Sequence, residues 1–432
     1  MELVVVVIFI LGYLAITLEH NLKIDKLVPA LVMMALAWAV VAVSHLPVFH
    51  IGAHGLEDAH LEEVLLHHFG KTCEILIFLI GAMTIVEIID HFDGFATIKK
   101  FIKTNKKKTL LWIVAILAFI LSAIIDNLTA TIVLITILRK LISNKTDRMW
   151  FTGMIIITAN AGGAWSPIGD VTTTMLWMAG KVSAMKLVQY LILPSLVCMV
   201  IPTLIASYMK PFRGDFAPIE DNKEPNKFSA PMLYIGLLLI VSVPVFKTVT
   251  HLPPYIGMML ALGVFTIFAE IFSKRAFDIS HAGVEGHHSP VHKALTRIEM
   301  PSLLFFLGIL MTVAALESLG MIYEFGNVVD GSIGTNLFVL ILGGASAIVD
   351  NVPLVAAALG MFPSLVEDSA IWHFIAYAAG TGGSMLIIGS AAGVVAMGME
   401  KISFFWYLKN IALLALIGYL AGIGVIYLTI LA

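Results

Sequence analysis

Charge is scarce in this sequence. Only 13% of its 432 residues are Asp, Glu, Lys or Arg, against roughly 25% in soluble globular chains. That excludes an ordinary soluble domain; the net charge of −3 says little, because the charges are sorted by loop, and no nucleic-acid partner is expected. Cysteine is nearly absent. Cys73 and Cys198 stand far apart in or beside apolar runs, so no disulfide framework or cysteine metal site follows. No Gly-Lys-Ser/Thr follows Gly380-Thr381-Gly382-Gly383, which excludes a P-loop and argues against ATP drive. Gly-x-Ser-x-Gly and His-Glu-x-x-His are missing too, so neither an enzyme nor a cofactor is expected. No basic stretch precedes the apolar run 3–18 and no small-residue cleavage site follows it. It reads as a retained span, not a signal peptide.

Apolar sequence is what the chain has in abundance: 59% hydrophobic residues and a mean hydropathy of +0.97. With about 20 residues needed to cross a bilayer, full spans are expected near 3–18, 27–46, 73–92, 149–180, 187–209, 231–247, 255–273, 300–319, 371–399 and 403–430. Two further segments, 109–142 and 335–362, read either as re-entrant hairpins or as paired full spans. Hairpins are expected, because each carries Asp-Asn at its centre and irregular backbone at membrane depth is tolerated where it lines a cavity. Residues 56–69 look amphipathic and are expected on the membrane surface.

The two central segments repeat one another. Ser122-Ala123-Ile124-Ile125-Asp126-Asn127 returns as Ser346-Ala347-Ile348-Val349-Asp350-Asn351. Phe78-Leu79-Ile80-Gly81-Ala82-Met83-Thr84 resembles Phe306-Leu307-Gly308-Ile309-Leu310-Met311-Thr312. A glycine-broken stretch follows each Asp-Asn, Asn160–Asp170 in one half and Gly380–Ser390 in the other. The chain therefore divides into 1–209, a cytoplasmic linker 210–230, and 231–432. Each half crosses an odd number of times, so the copies are expected to be inverted. The basic residues agree. With the N-terminus outside, 22 of the 26 Lys and Arg fall on the inner face, leaving Lys71, Lys181, Lys186 and Lys247 outside. Both termini are then periplasmic. The first hairpin opens inward and the second, flanked by Glu324, Asp330, Glu367 and Asp368, opens outward. The expected fold is all-α: two inverted-topology repeats, about ten full spans, two re-entrant hairpins, and discontinuous helices at the site.

An acid deep in an apolar run is a functional-site hypothesis by default. A hard cation such as Na⁺ takes oxygen ligands, which Asp126, Asn127, Thr129, Ser166, Asp350, Asn351, Thr381 and Ser384 supply, with Na⁺ expected at Asp126, Asn127, Asp350 and Asn351. A carboxyl group that holds a proton disfavours the cation, and the reverse. That mutual exclusion is what an exchanger needs. Asp170 opens a half-helix, where N-capping and ion binding are compatible. Asn160 is either a ligand or a partner for loosened backbone, and Glu87 and Ser390 are accessory candidates. The histidines at 45, 50, 54, 60, 67 and 68, and at 281, 287, 288 and 292, are expected in solvated loops.

At these residues the chain resembles the NhaD family of bacterial sodium/proton antiporters, within the larger ion transporter superfamily. The resemblance covers nearly the whole chain. It rests most on Asp126-Asn127, on Asn160 to Thr173, and on Asp350-Asn351. It implies a dimer-forming fold in the bacterial inner membrane and a cargo of Na⁺ or Li⁺ exchanged for H⁺, serving pH homeostasis and salt tolerance. It implicates Asp126, Asn127, Asn160, Asp170, Thr172, Thr173, Asp350 and Asn351. The superfamily's dicarboxylate symporters carry Ser-Asn-Thr at the hairpin tips. Here Asp stands in the Ser positions and would repel an anion. A dicarboxylate or arsenite transporter, and a cation channel, are the alternatives. The charge asymmetry makes a prediction of its own. Cysteines placed at Lys106 and Lys145 should react with an impermeant reagent from one face only, and one at Glu367 from the other. Labelling of 106 and 145 from opposite faces would refute the reading of 109–142.

Overall fold

The computed structural model of the protein describes residues 1–17, 19–52, 55–99, 102–216, 227–279 and 289–431. Among them, seven helices are long and apolar enough to cross a bilayer: Leu61–His91, Lys107–Ile125, Ala184–Ser207, Ser229–Thr250, Pro254–Ser273, Met300–Ser318 and Ala412–Thr429. Glu2–Thr17 and Leu27–Val43 are shorter apolar helices beside them. The burial pattern is that of a membrane protein. Leu238, Val245 and Val249 are 69%, 61% and 73% exposed on the periphery, while Asn127, Asn160 and Asp170 are buried. Polar groups sit inside because lipid offers them no hydrogen bonds.

Three expected spans are interrupted. The run 149–180 is a helix, Lys145–Gly163, then irregular chain, then Val171–Met178. The run 371–399 divides in the same way into Ala370–Gly382 and Ala391–Glu400, and 403–430 into Phe404–Asn410 and Ala412–Thr429. In the first two the chain leaves the helix at a Gly-Gly pair and re-enters at a capping Asp170 or Ser390. Residues 56–69 do not form a surface helix. They belong to an antiparallel strand pair, Val48–Gly52 with Gly55–Ala59, and to the start of Leu61–His91. The β-branched and aromatic residues of Val48-Phe49-His50-Ile51, followed by the Gly52 and Gly55 turn positions, are hairpin signals. Part of the polar 210–230 stretch is also fixed. Lys107 N–H donates to the Gly214 carbonyl at 3.0 Å and Phe216 N–H to that of Asn105 at 2.9 Å. Residues 217–226 of the expected linker, with His54, His281, His287 and His288, lie outside the described residues.

The same packing scheme occurs twice with the halves exchanged. Leu27–Val43 packs on Met300–Ser318, as Pro254–Ile279 packs on Leu61–His91. Asn127–Leu141 packs on Ala391–Glu400, as Asn351–Met361 packs on Val171–Met178. The ties at the hairpins match as well. Ser122 Oγ donates to the Ala159 carbonyl at 2.5 Å and Ser346 Oγ to that of Ala379 at 2.7 Å. Asn127 and Asn351 are both buried, so the two Asp-Asn turns are interior. The arms of the second hairpin, Thr335–Ala345 and Asn351–Met361, have 11 residues each. At 1.5 Å per residue that is about 16 Å, roughly half of a 30 Å hydrocarbon core.

Close backbone approach holds the hairpins against the broken helices. A Cβ on Gly162 would strike the Phe119 carbonyl oxygen, and one on Gly382 would strike that of Gly343. Both obstacles are backbone and cannot swing aside. Gly382→Ala should therefore cost about 1–3 kcal/mol, as overpacking does. It should lower the thermal midpoint and the folded yield. Gly424→Ala, where nothing lies within 4 Å, should not. Equal midpoints for the two variants would contradict the packing described.

Candidate functional site

Four short helices begin near the centre of the molecule, and each has a polar cap. Asp126 caps Asn127–Leu141, Asp170 caps Val171–Met178, Asp350 caps Asn351–Met361 and Ser390 caps Ala391–Glu400. Each helix start leaves backbone N–H groups without intrahelical partners and a partial positive charge. A carboxylate there answers both. The cap bonds run from Thr129 N–H to Asp126 at 2.8 Å, Val171 N–H to Asp170 at 2.9 Å, Val352 N–H to Asp350 at 3.4 Å and Gly393 N–H to Ser390 at 3.2 Å.

The halves meet at Asp170. Asn127 Nδ2 donates to its Oδ1 at 3.1 Å, and Asn351 Nδ2 donates to its Oδ2 at 2.9 Å. The Thr172 hydroxyl also donates to Oδ2. The network continues through Asn160. Its Oδ1 accepts from Asn127 Nδ2 and its Nδ2 donates to Ser390 Oγ, both at 3.2 Å, while Nδ2 also reaches the Ile156 carbonyl. Asp170 is 4% exposed. Among the described residues no Lys or Arg pairs with it.

Asp126 and Asp350 stand apart from this network and from each other. Asp126 is folded back on its own helix, taking the Thr129 hydroxyl on Oδ2 at 2.8 Å. Its φ of +74° is a conformation that costs a non-glycine residue about 1–3 kcal/mol and is concentrated at functional sites. Asp126 and Asp170 nonetheless line one small void of about 20 Å³, with Thr174, Ile168 and Met258 on its wall, room for about one water molecule. Asp350 instead faces Lys26, Nζ to Oδ2 3.5 Å.

Other expected ligands are held by local backbone. Thr173 Oγ1 donates to the Asp170 carbonyl at 2.9 Å, Thr381 Oγ1 to that of Tyr377 at 2.6 Å and Ser384 Oγ to that of Thr381 at 2.7 Å. Ser166 Oγ accepts from Ile168 N–H at 3.4 Å within the break. Glu87 lies elsewhere, in a cleft of about 350 Å³ with Asp90, Asp93, Glu299, Lys140 and Arg297, whose inner wall includes Thr129. Leu128 and Thr129, close to Asp126 in the chain, stand on its wall; Asp126 itself lines the smaller void. Burial raises the Glu299 carboxyl above its ordinary value, and Lys26 nearby partly opposes that. Among the described residues no group of three or more His, Cys, Asp and Glu is arranged to hold a metal ion. His50, His67 and His68 are not in loose loops; they sit on a strand and a helix and line a separate cleft with Lys71 and Glu317.

Sequence reasoning missed Lys26 and the buried Glu400. Arg139 and Arg148 reach Glu400 at 2.7 and 3.1 Å, tying the first hairpin and the first broken helix to the second broken helix. Nothing local marks Lys26 among the other loop lysines. Ser122 and Ser346 were legible, since both belong to the repeated hexapeptide.

Broken helices whose capped starts converge on a buried acid define a polytopic helical transporter. The comparisons agree. The YdaH transporter of Alcanivorax borkumensis shares the fold, with a TM-score of 0.57 at 14% identity over 94% of this chain and 98% of that one. The model of the citrate transporter family, CitMHS, matches residues 5–374. Sodium/proton antiporter 1 of Arabidopsis thaliana is 42% identical over 98% of this chain and 72% of its own length. Sodium/proton antiporter 2 of the same plant is 39% identical over 96% and 97%. The Na(+)/H(+) antiporter NhaD of Alkalimonas amylolytica is 32% identical over 98% and 89%. The chain belongs to the citrate transporter family and, within it, to the NhaD-type sodium/proton antiporters.

Because Asn127 and Asn351 bond the same carboxylate, their contributions should be coupled through it. Each Asn→Ala change should cost about 0.6–1.7 kcal/mol, the range for hydrogen bonds inside membrane proteins. In an Asp170→Ala background the Asn351 cost should shrink toward zero in thermal-unfolding cycles, and the Asn127 cost should fall to what its bond to Asn160 contributes. Unchanged costs in that background would show that the two amides do not act through Asp170.

Proposed function

We propose that the chain is a secondary-active antiporter that exports Na⁺ or Li⁺ in exchange for H⁺, with Asp170 as the exchanging carboxylate. The observation that carries this is Asp170 itself: buried, and held by one amide from each Asp-Asn pair. Protonated, Asp170 needs no cation. Ionised, it attracts one, so proton and sodium exclude each other. The amides suit both states. An Asn side chain carries a donor at one end and an acceptor at the other. Rotated, Asn127 and Asn351 would present Oδ1 to a cation, joining the carboxylate in the oxygen shell a hard ion takes. Thr172 adds a hydroxyl. Asp126, across the small void and close in the chain to the Thr129 wall of the Glu87 cleft, is the entry carboxylate.

The exchanged packing supports two inverted repeats, 1–209 and 231–432. The short arms of the second Asp-Asn segment support a re-entrant hairpin. The lysine distribution supports inner-facing basic loops, periplasmic termini and, for a bacterial chain, the inner membrane; the Arabidopsis relatives extend the range to plant membranes. A homodimer is the expected assembly. Citrate, which names the family model, fits this site poorly. Asp126, Asp170 and Asp350 would repel a polycarboxylate, and among the described residues only Asp350 of the three has a cationic partner.

In everted vesicles with an established proton gradient, Na⁺ or Li⁺ should dissipate the gradient, K⁺ poorly and citrate not at all. Apparent Na⁺ affinity should rise with pH, because proton loss frees the site for the cation, and then level off. Asp170→Asn cannot ionise and should abolish the exchange with normal membrane insertion. Full, pH-dependent exchange in that variant would move the coupling site elsewhere.

A further inference from the structure

The two hairpin tips are not chemically equivalent. The first reads Asp126-Asn127-Leu128-Thr129 and the second Asp350-Asn351-Val352-Pro353. Thr129 gives Asp126 two hydrogen bonds, one from its backbone N–H and one from its hydroxyl. Pro353 stands at the matching place, with no N–H and no hydroxyl. Asp350 is left with a single cap bond from Val352 N–H at 3.4 Å. A buried carboxylate with so few donors is costly unless a charge faces it. Lys26 supplies that charge.

Lys26 immediately precedes Leu27–Val43, and its stem is held by more than the acid. Its Nζ lies 4.4 Å from the centroid of the Phe305 ring, a cation–π contact. Its side chain is 20% exposed and that of Asp350 14%, so both charges are largely out of water. Tyr13, Glu19, Lys23 and Asp25 line the same cleft, yet among the described residues Lys26 alone pairs with Asp350. At the first tip, no lysine among the described residues pairs with Asp126.

We propose that Lys26 is a tethered replacement for a second cation. It occupies Asp350, so that the duplicated motif yields one exchangeable sodium site, at Asp170, and not two. Asp350 serves as the positioning partner of Lys26, tying the N-terminal helices to the second hairpin tip, and Asn351 of the same tip is kept facing Asp170. This rests on the antiport reading above.

Equilibrium binding of radioactive sodium to the purified full chain at alkaline pH tests it. The wild type should bind one Na⁺ per chain. Lys26→Gln should bind two, the capacity doubling, because Asp350 is then open to a free cation. Lys26→Met keeps an apolar stem against Phe305 and should also bind two, which guards against a folding defect peculiar to Gln. Lys26→Arg should stay at one, and Lys26→Gln combined with Asp350→Asn should return to one. A capacity of one in both Lys26→Gln and Lys26→Met, or of two in the wild type, would overturn the proposal and leave the antiport reading standing. A wild type without saturable sodium binding would overturn both.

Discussion

Everything at the centre of this protein depends on one carboxylate held by two amides from different halves of the chain. Asp170 is buried where lipid surrounds the protein, and an unpaired charge there is expensive. Among the described residues no Lys or Arg meets that cost. Three elements converge on the acid: its own helix start, the Asn127 turn and the Asn351 turn. Each of those turns is a buried break between two helices, Lys107–Ile125 with Asn127–Leu141 and Thr335–Ala345 with Asn351–Met361. The glycines that let hairpin and broken helix touch, and the serines that tie them, are therefore part of the same constraint. Loosen the contact at Gly162 or Gly382, and the amides move away from Asp170.

On the proposed exchange at Asp170, neutral donors account for a site that is both stable and exchangeable. An arginine or lysine on Asp170 would hold it permanently ionised and fill the place of the cargo. Amides stabilise the carboxylate less, and they can turn to offer oxygen instead. The second half supplies no matching acid at the broken helix, because Ser390 stands where Asp170 stands in the first. The twice-used packing scheme thus carries an unpaired centre, and the remaining acids, Asp126 and Asp350, are bonded locally or paired across the fold.

Much of this was legible in the sequence, for identifiable reasons. Duplication exposed the Asp-Asn turns, because two copies of a hexapeptide share their interior constraints. The Gly-Gly pairs at 162–163 and 382–383, each followed by a further glycine, exposed two of the broken helices; the break between Asn410 and Ala412 has no such mark, and Gly343-Gly344 stays inside a helix. Asn160 and Asp170 belong to the stretch around Gly162-Gly163, and Thr172 came from the family resemblance. The precedence of Asp170 was not legible. Sequence similarity weights the repeated acids Asp126 and Asp350 equally, whereas convergence in space depends on which way each turn projects, and a +74° φ at Asp126 leaves no mark in composition. Thr381 and Ser384 are oxygen-bearing by type, but their hydroxyls are taken by carbonyls of their own helix. The strand pair at 48–59 was obscured by the histidines and acids beside it, and Lys26 by the many lysines that share its face.

The central claim is that sodium and the proton compete for Asp170. Difference infrared spectroscopy of the chain with ¹³C-labelled aspartate carboxyls observes that competition directly. Adding Na⁺ at a pH near the titration of the site should remove a protonated-carboxyl band and produce a carboxylate band in the wild type. Neither change should occur in Asp170→Asn. An undiminished sodium-induced loss of the protonated band in Asp170→Asn would contradict the account and assign the exchange to another acid.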